Sequence, residues 1–80
     1  MADSITPDQT LDCSGMLCPM PIVKARIAMK KLAPGQVLRV IATDPGSMPD
    51  FHAFAQETGY ALLEAEESNK QFRFLLQRPS

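Results

Sequence analysis

Proline and glycine punctuate this chain so closely that only short elements have room to form. Breaks stand at Ser14-Gly15, Pro34-Gly35, Asp44-Pro45-Gly46 and Gly59, and Pro19 and Pro21 flank Met20. Prolines one residue apart are tolerated in the first turn of a helix, where backbone N–H groups have no intrahelical partner. The spacing therefore predicts a helix opening at Cys18-Pro19 and running to Leu32 or Ala33, where Pro34-Gly35 stops it. A second helix begins at Ser47-x-x-Asp50, which resembles a capping box, with Pro49 in its first turn. Met48, Phe51, Phe54 and Ala55 form its apolar stripe, and Gly59 stands where a C-terminal glycine belongs.

Between and after the helices the pattern changes to that of strands. Gln9 to Asp12 reads as a short one, and Val37 to Ala42 is β-branched and almost continuously apolar, as a central strand should be. Tyr60 to Glu66 and Gln71 to Gln77 flank a turn at Ser68-Asn69. In the last strand Phe72, Phe74 and Leu76 alternate with Arg73, Leu75 and Gln77. The order is βαβαββ. Right-handed crossovers place both helices on one face of a four-stranded mixed sheet, an α/β chain of the α+β two-layer sandwich type. Residues 1–8 read as a flexible N-terminal tail and 9–80 as a single domain.

A chain of 80 residues buries only about 60% of its unfolded surface, which leaves little room for a deep substrate cavity. Its formal net charge of -1 argues against bulk electrostatic binding to nucleic acid or an anionic membrane. The polar N-terminus lacks the pattern of a secretory signal, and no stretch is long enough to span a bilayer. The expected location is the cytoplasm, where thiols stay reduced.

Chemistry concentrates in Leu11-Asp12-Cys13-Ser14-Gly15-Met16-Leu17-Cys18-Pro19-Met20-Pro21. A residue before proline is pushed toward extended geometry, so Cys18 is expected as the N-cap rather than the first helical residue. The positive helix end and the N–H groups of Met20 and Ile22 would then favour the thiolate and lower the Cys18 pKa below about 8.5. Cys13, Cys18 and the lone histidine, His52, fall short of the four ligands of a structural zinc site. His52 lies off the apolar stripe and reads as an exposed imidazole rather than a base. Asp44, in the turn after the central strand, is a weak site candidate whose loop borders Cys18 in some arrangements. Nothing here resembles Cys-x-x-Cys. A cysteine without a dedicated base still suits sulfane-sulfur exchange, which needs mainly a nucleophile and access. The plainer alternative is a small buried hydrophobe. Two other functions stay open: a thiol redox or regulatory protein using Cys13 and Cys18, and a non-covalent module binding RNA or protein.

The same segment resembles the signature Leu-Asp-x-x-Gly-x-x-Cys-Pro-x-Pro of the TusA/SirA-like sulfur-carrier family. Leu32-x-Pro-Gly, Val40-x-Ala-x-Asp44-Pro45, Asp50-x-x-x-Phe54 and Thr58-Gly59-Tyr60 resemble its later blocks in order and spacing. The likeness spans about residues 10–78. It implies a fold like the C-terminal domain of translation initiation factor 3 and a persulfide on Cys18. It further implies a cysteine desulfurase or rhodanese as sulfur donor and a DsrE-type relay protein as acceptor. The sulfur would then serve tRNA 2-thiouridine synthesis or sulfur oxidation. No cofactor is implied, and a monomer is expected because a shuttle must expose its cargo. Cys13 occupies a variable position of the signature. It is expected to be buried beside the first strand, with a resolving thiol as the alternative.

On a wheel of about 100° per residue, Ile22, Ala25, Ala28, Met29, Leu32 and Ala33 gather toward the sheet. Lys24, Arg26, Lys30 and Lys31 fall on the other side around Val23 and Ile27. Two branched aliphatics ringed by cations read as a docking patch for an acidic partner surface, against a solvated basic face as the plain reading. The carboxylates Glu64, Glu66 and Glu67 cluster far along the chain.

Overall fold

The computed structural model describes residues 6–79. The elements are β1 (Gln9–Cys13), α1 (Met20–Lys31), β2 (Val37–Ala42), α2 (Ser47–Thr58), β3 (Ala61–Ser68) and β4 (Gln71–Gln77). The sheet order is β1-β2-β4-β3. β1 runs parallel to β2, while β4 is antiparallel to both β2 and β3. The first crossover therefore links neighbours, and the second leaves a gap that β4 returns to fill.

One face of the sheet carries both helices. Ala25, Ala28, Met29 and Leu32 of the first helical segment and Phe51 and Phe54 of α2 are buried against Leu38, Val40, Ala42, Phe72, Phe74 and Leu76. Phe51 stacks on Phe74 with ring centroids 4.5 Å apart and meets Phe54 edge-on at 6.0 Å. Each fully buried aromatic contributes about 1.5–3 kcal/mol of transfer free energy, so this trio is a large share of a small core.

The ends of the elements follow their punctuation. α2 closes on Gly59 at φ 83, ψ 1, whose N–H bonds Ala55 O at 2.9 Å. The β3–β4 turn is tightened by Asn69 and Lys70, at φ 53 and 62, the twisted geometry that two-residue hairpins prefer. It lies one residue beyond the expected Ser68-Asn69, and β3 accordingly runs later than Tyr60–Glu66. Leu32 is already extended, at φ -81, ψ 151, so α1 ends one residue early. Ala33, expected against the sheet, is exposed.

Leu75, placed by alternation on the polar side of the last strand, is only 1% exposed. Its register partners are Arg39 and Glu64, residues with methylene stems long enough to cover a neighbour. The expected N-terminal tail lies mostly outside the described residues. Its last member, Asp8, accepts the Val37 N–H at 2.8 Å through Oδ2.

Candidate functional site

Because β1 and β2 are parallel neighbours, the loops that leave them emerge at the same end of the sheet, and both helices begin there. The carboxyl ends of parallel strands are where open α/β sheets build their sites. The first loop is shaped locally: Asp12 Oδ1 accepts from Ser14 N at 3.0 Å and Ser14 Oγ at 2.6 Å, and Gly15 adopts φ 81. Two bonds then join it to the second loop. Gly15 N donates to Thr43 Oγ1 at 2.8 Å, and Cys18 N donates to Asp44 Oδ2 at 3.0 Å.

Cys18 is not the N-cap. That position belongs to Pro19, at φ -97, ψ 17, and α1 starts at Met20. The Cys18–Pro19 peptide is cis. The Met20 N–H expected near the sulfur is spent on Leu17 O at 2.9 Å, in a turn that precedes the helix. The sulfur instead faces the start of α2. Its Sγ lies 3.7 Å from the hydroxyl of Ser47, which is fully buried. A β-carbon placed on Gly46 would stand only 3.4 Å from that sulfur and 3.3 Å from Asp44 Oδ2. Ser47 thus makes no capping bond; Gly46 is the N-cap, and the capping-box expectation is corrected accordingly.

The expected acidic thiol is also corrected. Burial pushes the Cys18 thiol up to about 12, with the carboxylates of Asp44 and Asp50 adding to the rise and Ser47 opposing it. The positive end of α2 amounts to about half a charge, and two nearby carboxylates outweigh it. Conversely, the neighbouring Cys18 thiol and the bond from the Cys18 N–H hold Asp44 below the usual carboxylate range. The sequence could not supply this balance, because Asp44 and Asp50 reach Cys18 only through the pairing of β1 with β2.

The other named residues separate clearly. Cys13 is fully buried in the core, and burial followed by the Asp12 charge raises its thiol. Both cysteines are free thiols. His52 is exposed, with Nδ1 2.9 Å from Met48 O. Pro21 is buried and Pro19 exposed. Lys24, Ile27 and Lys31 line a shallow groove between α1 and β1 together with Gln9 and Leu11. Lys30 is exposed. Arg26 is partly committed within the chain, 3.5 Å from Glu57 and 5.1 Å above the Phe54 ring.

Two residues were missed as site members. Leu17 is 74% exposed and Met20 45%; Met20 stands one turn before Val23 on the face of α1 that also carries Ile27, and Leu17 is the chain neighbour of Cys18. The signal for Met20 lies in its spacing to Val23 and Ile27, which a wheel begun at Ile22 leaves out; for Leu17 it is only its place beside Cys18. Among the described residues no cluster of three or more His, Cys, Asp or Glu could hold a metal ion. No described helix is long and apolar enough to cross a membrane.

With this geometry in view, the sequence model of the family described as sulfurtransferase TusA matches residues 9–78. The chain belongs to the TusA family. It is 51% identical over 71 residues to the sulfur carrier protein TusA of Allochromatium vinosum, covering 89% of this chain and 93% of that one. The TusA of Pseudomonas putida is 36% identical over 73 residues, covering 91% of each. In three dimensions this TusA-family chain is similar to the crystal structure of a SirA-like protein from Desulfitobacterium hafniense. That likeness has a TM-score of 0.78 at 26% identity and covers 90% of this chain and 99% of the other.

Proposed function

We propose that this protein carries sulfane sulfur as a persulfide on Cys18 and relays it between partner proteins in the cytoplasm. The observation that carries the reading is a free, half-buried thiol at the end of the sheet where two loops meet, flanked by exposed Leu17 and Met20. Sulfane-sulfur exchange needs a nucleophilic sulfur that a partner's sulfur can approach. A cysteine desulfurase or rhodanese is the donor in this reading, and a DsrE-type relay protein the acceptor, toward tRNA thiolation or sulfur oxidation. The strip Val23–Ile27 with Lys24, Lys30 and Lys31 is the surface that meets them, supported by 43% and 53% exposure of its two aliphatics. Cys13 serves the core, since its sulfur is fully buried.

The test is intact-mass analysis after incubation with a cysteine desulfurase and cysteine. The parent should gain one sulfur that reductant removes, Cys13→Ser should gain it too, and Cys18→Ser should not. An adduct that persists in Cys18→Ser would overturn the assignment.

A further inference from the structure

A sulfur carrier places opposite demands on one atom. To load, its sulfur must attack, and thiol nucleophilicity falls as acidity rises; to unload, the same sulfur must leave, and a more acidic thiol leaves faster. A lowered pKa cannot serve both directions. This chain instead sets a carboxylate against the sulfur. Asp44 Oδ2 accepts the Cys18 N–H at 3.0 Å, which holds that carboxylate beside the residue that bears the sulfur. Gly46 backs both groups so closely that a β-carbon there would lie 3.4 Å from the sulfur and 3.3 Å from the carboxylate oxygen. The buried Ser47 hydroxyl adds a contact at 3.7 Å.

We propose that Asp44 is the proton relay of the transfer, passing a proton from the attacking sulfur to the departing one. The inference rests on the persulfide reading of Cys18. In loading, a bond forms from Cys18 Sγ to the outer sulfur of the donor persulfide while the donor's own S–S bond breaks. The Cys18 proton moves to Asp44 and then to the departing donor thiolate, leaving a persulfide on Cys18 and a thiol on the donor. In unloading, the acceptor thiol attacks the outer sulfur, its proton passes to Asp44, and Sγ departs and receives it. The sulfane sulfur moves with its oxidation level, so no external oxidant or reductant enters.

Asp44→Asn keeps the shape and an oxygen for the Cys18 N–H but cannot take a proton. Both proteins would be loaded with glutathione persulfide from pH 6 to pH 8, followed by intact mass, with thiol ionisation read in parallel by ultraviolet absorbance. General acid–base assistance is worth about a hundredfold or more, partly offset here by the easier ionisation of a thiol freed from a carboxylate. The variant should therefore load at least about tenfold more slowly at pH 6 although its thiol ionises at lower pH. The parent rate should be nearly flat with pH and the variant rate should climb. A variant that loads as fast as the parent overturns the relay, as does a parent rate that rises about tenfold per pH unit, which tracks thiolate alone. The parent profile decides the matter even if the variant does not fold. No adduct on either protein removes the carrier reading and the relay together.

Discussion

At Cys18 the sulfur holds its proton through the neutral range, because burial and two carboxylates outweigh the nearby helix end. An ultraviolet titration should accordingly show no thiolate from the folded protein below about pH 8.5, the ordinary value for a cysteine. Linkage fixes the sign for stability. The folded state keeps a proton that the unfolded chain gives up above about 8.5, so this contribution is complete below that pH and drains away as pH rises toward about 12. Compared with Cys18→Ser, the parent should lose stability on the alkaline side, measured by urea unfolding at pH 7 and pH 10. Equal losses in both proteins would refute the high thiol pKa. Gly46 offers a second residue-scale check. Its φ of -64 and ψ of -14 suit alanine, so Gly46→Ala carries no backbone penalty, and any loss of stability comes from the Asp44 carboxylate having to give way. Sulfur loading should nevertheless slow several-fold, since the added carbon crowds both sulfur and carboxylate.

At the scale of the element, the strip along α1 is where partner recognition is open to test. Ile27 is exposed, and surface substitutions usually cost no more than about 0.5 kcal/mol. Ile27→Asp should leave the melting temperature nearly unchanged while slowing sulfur transfer from a desulfurase; an unaltered rate would retire the patch. Gly59 tests a helix end instead. A β-carbon there meets nothing within 4 Å, so the penalty of Gly59→Ala is the left-handed backbone alone, about 1 kcal/mol, read by thermal melting. The elements themselves were legible in the sequence because their stops are covalent: Pro34-Gly35 ended α1 within two residues, and Ser47 and Gly59 bracketed α2. The reactive loop was less legible. Met20 N–H was assigned to the sulfur from position alone, whereas a turn captures it. The partners that set the thiol's proton affinity lie on another loop, and no local pattern reports them.

Across the whole molecule, stability depends on a few side chains, as it must in a chain this short. Phe51 and Phe74 stack with no solvent exposure. Phe51→Ala should cost about 3–5 kcal/mol, a large fraction of the roughly 5–15 kcal/mol that holds a small domain folded. Urea denaturation would show it as a strongly lowered midpoint. The reach of the fold also governs the chemistry. Cys18 and Asp44 stand 26 positions apart along the chain, and only the pairing of β1 with β2 brings them together. A nascent or damaged copy that lacks this pairing has an ordinary, more readily ionised sulfhydryl. Oxidants and electrophiles should therefore tag misassembled molecules before sound ones, so the arrangement that equips the finished protein for exchange also shields it until it meets a partner.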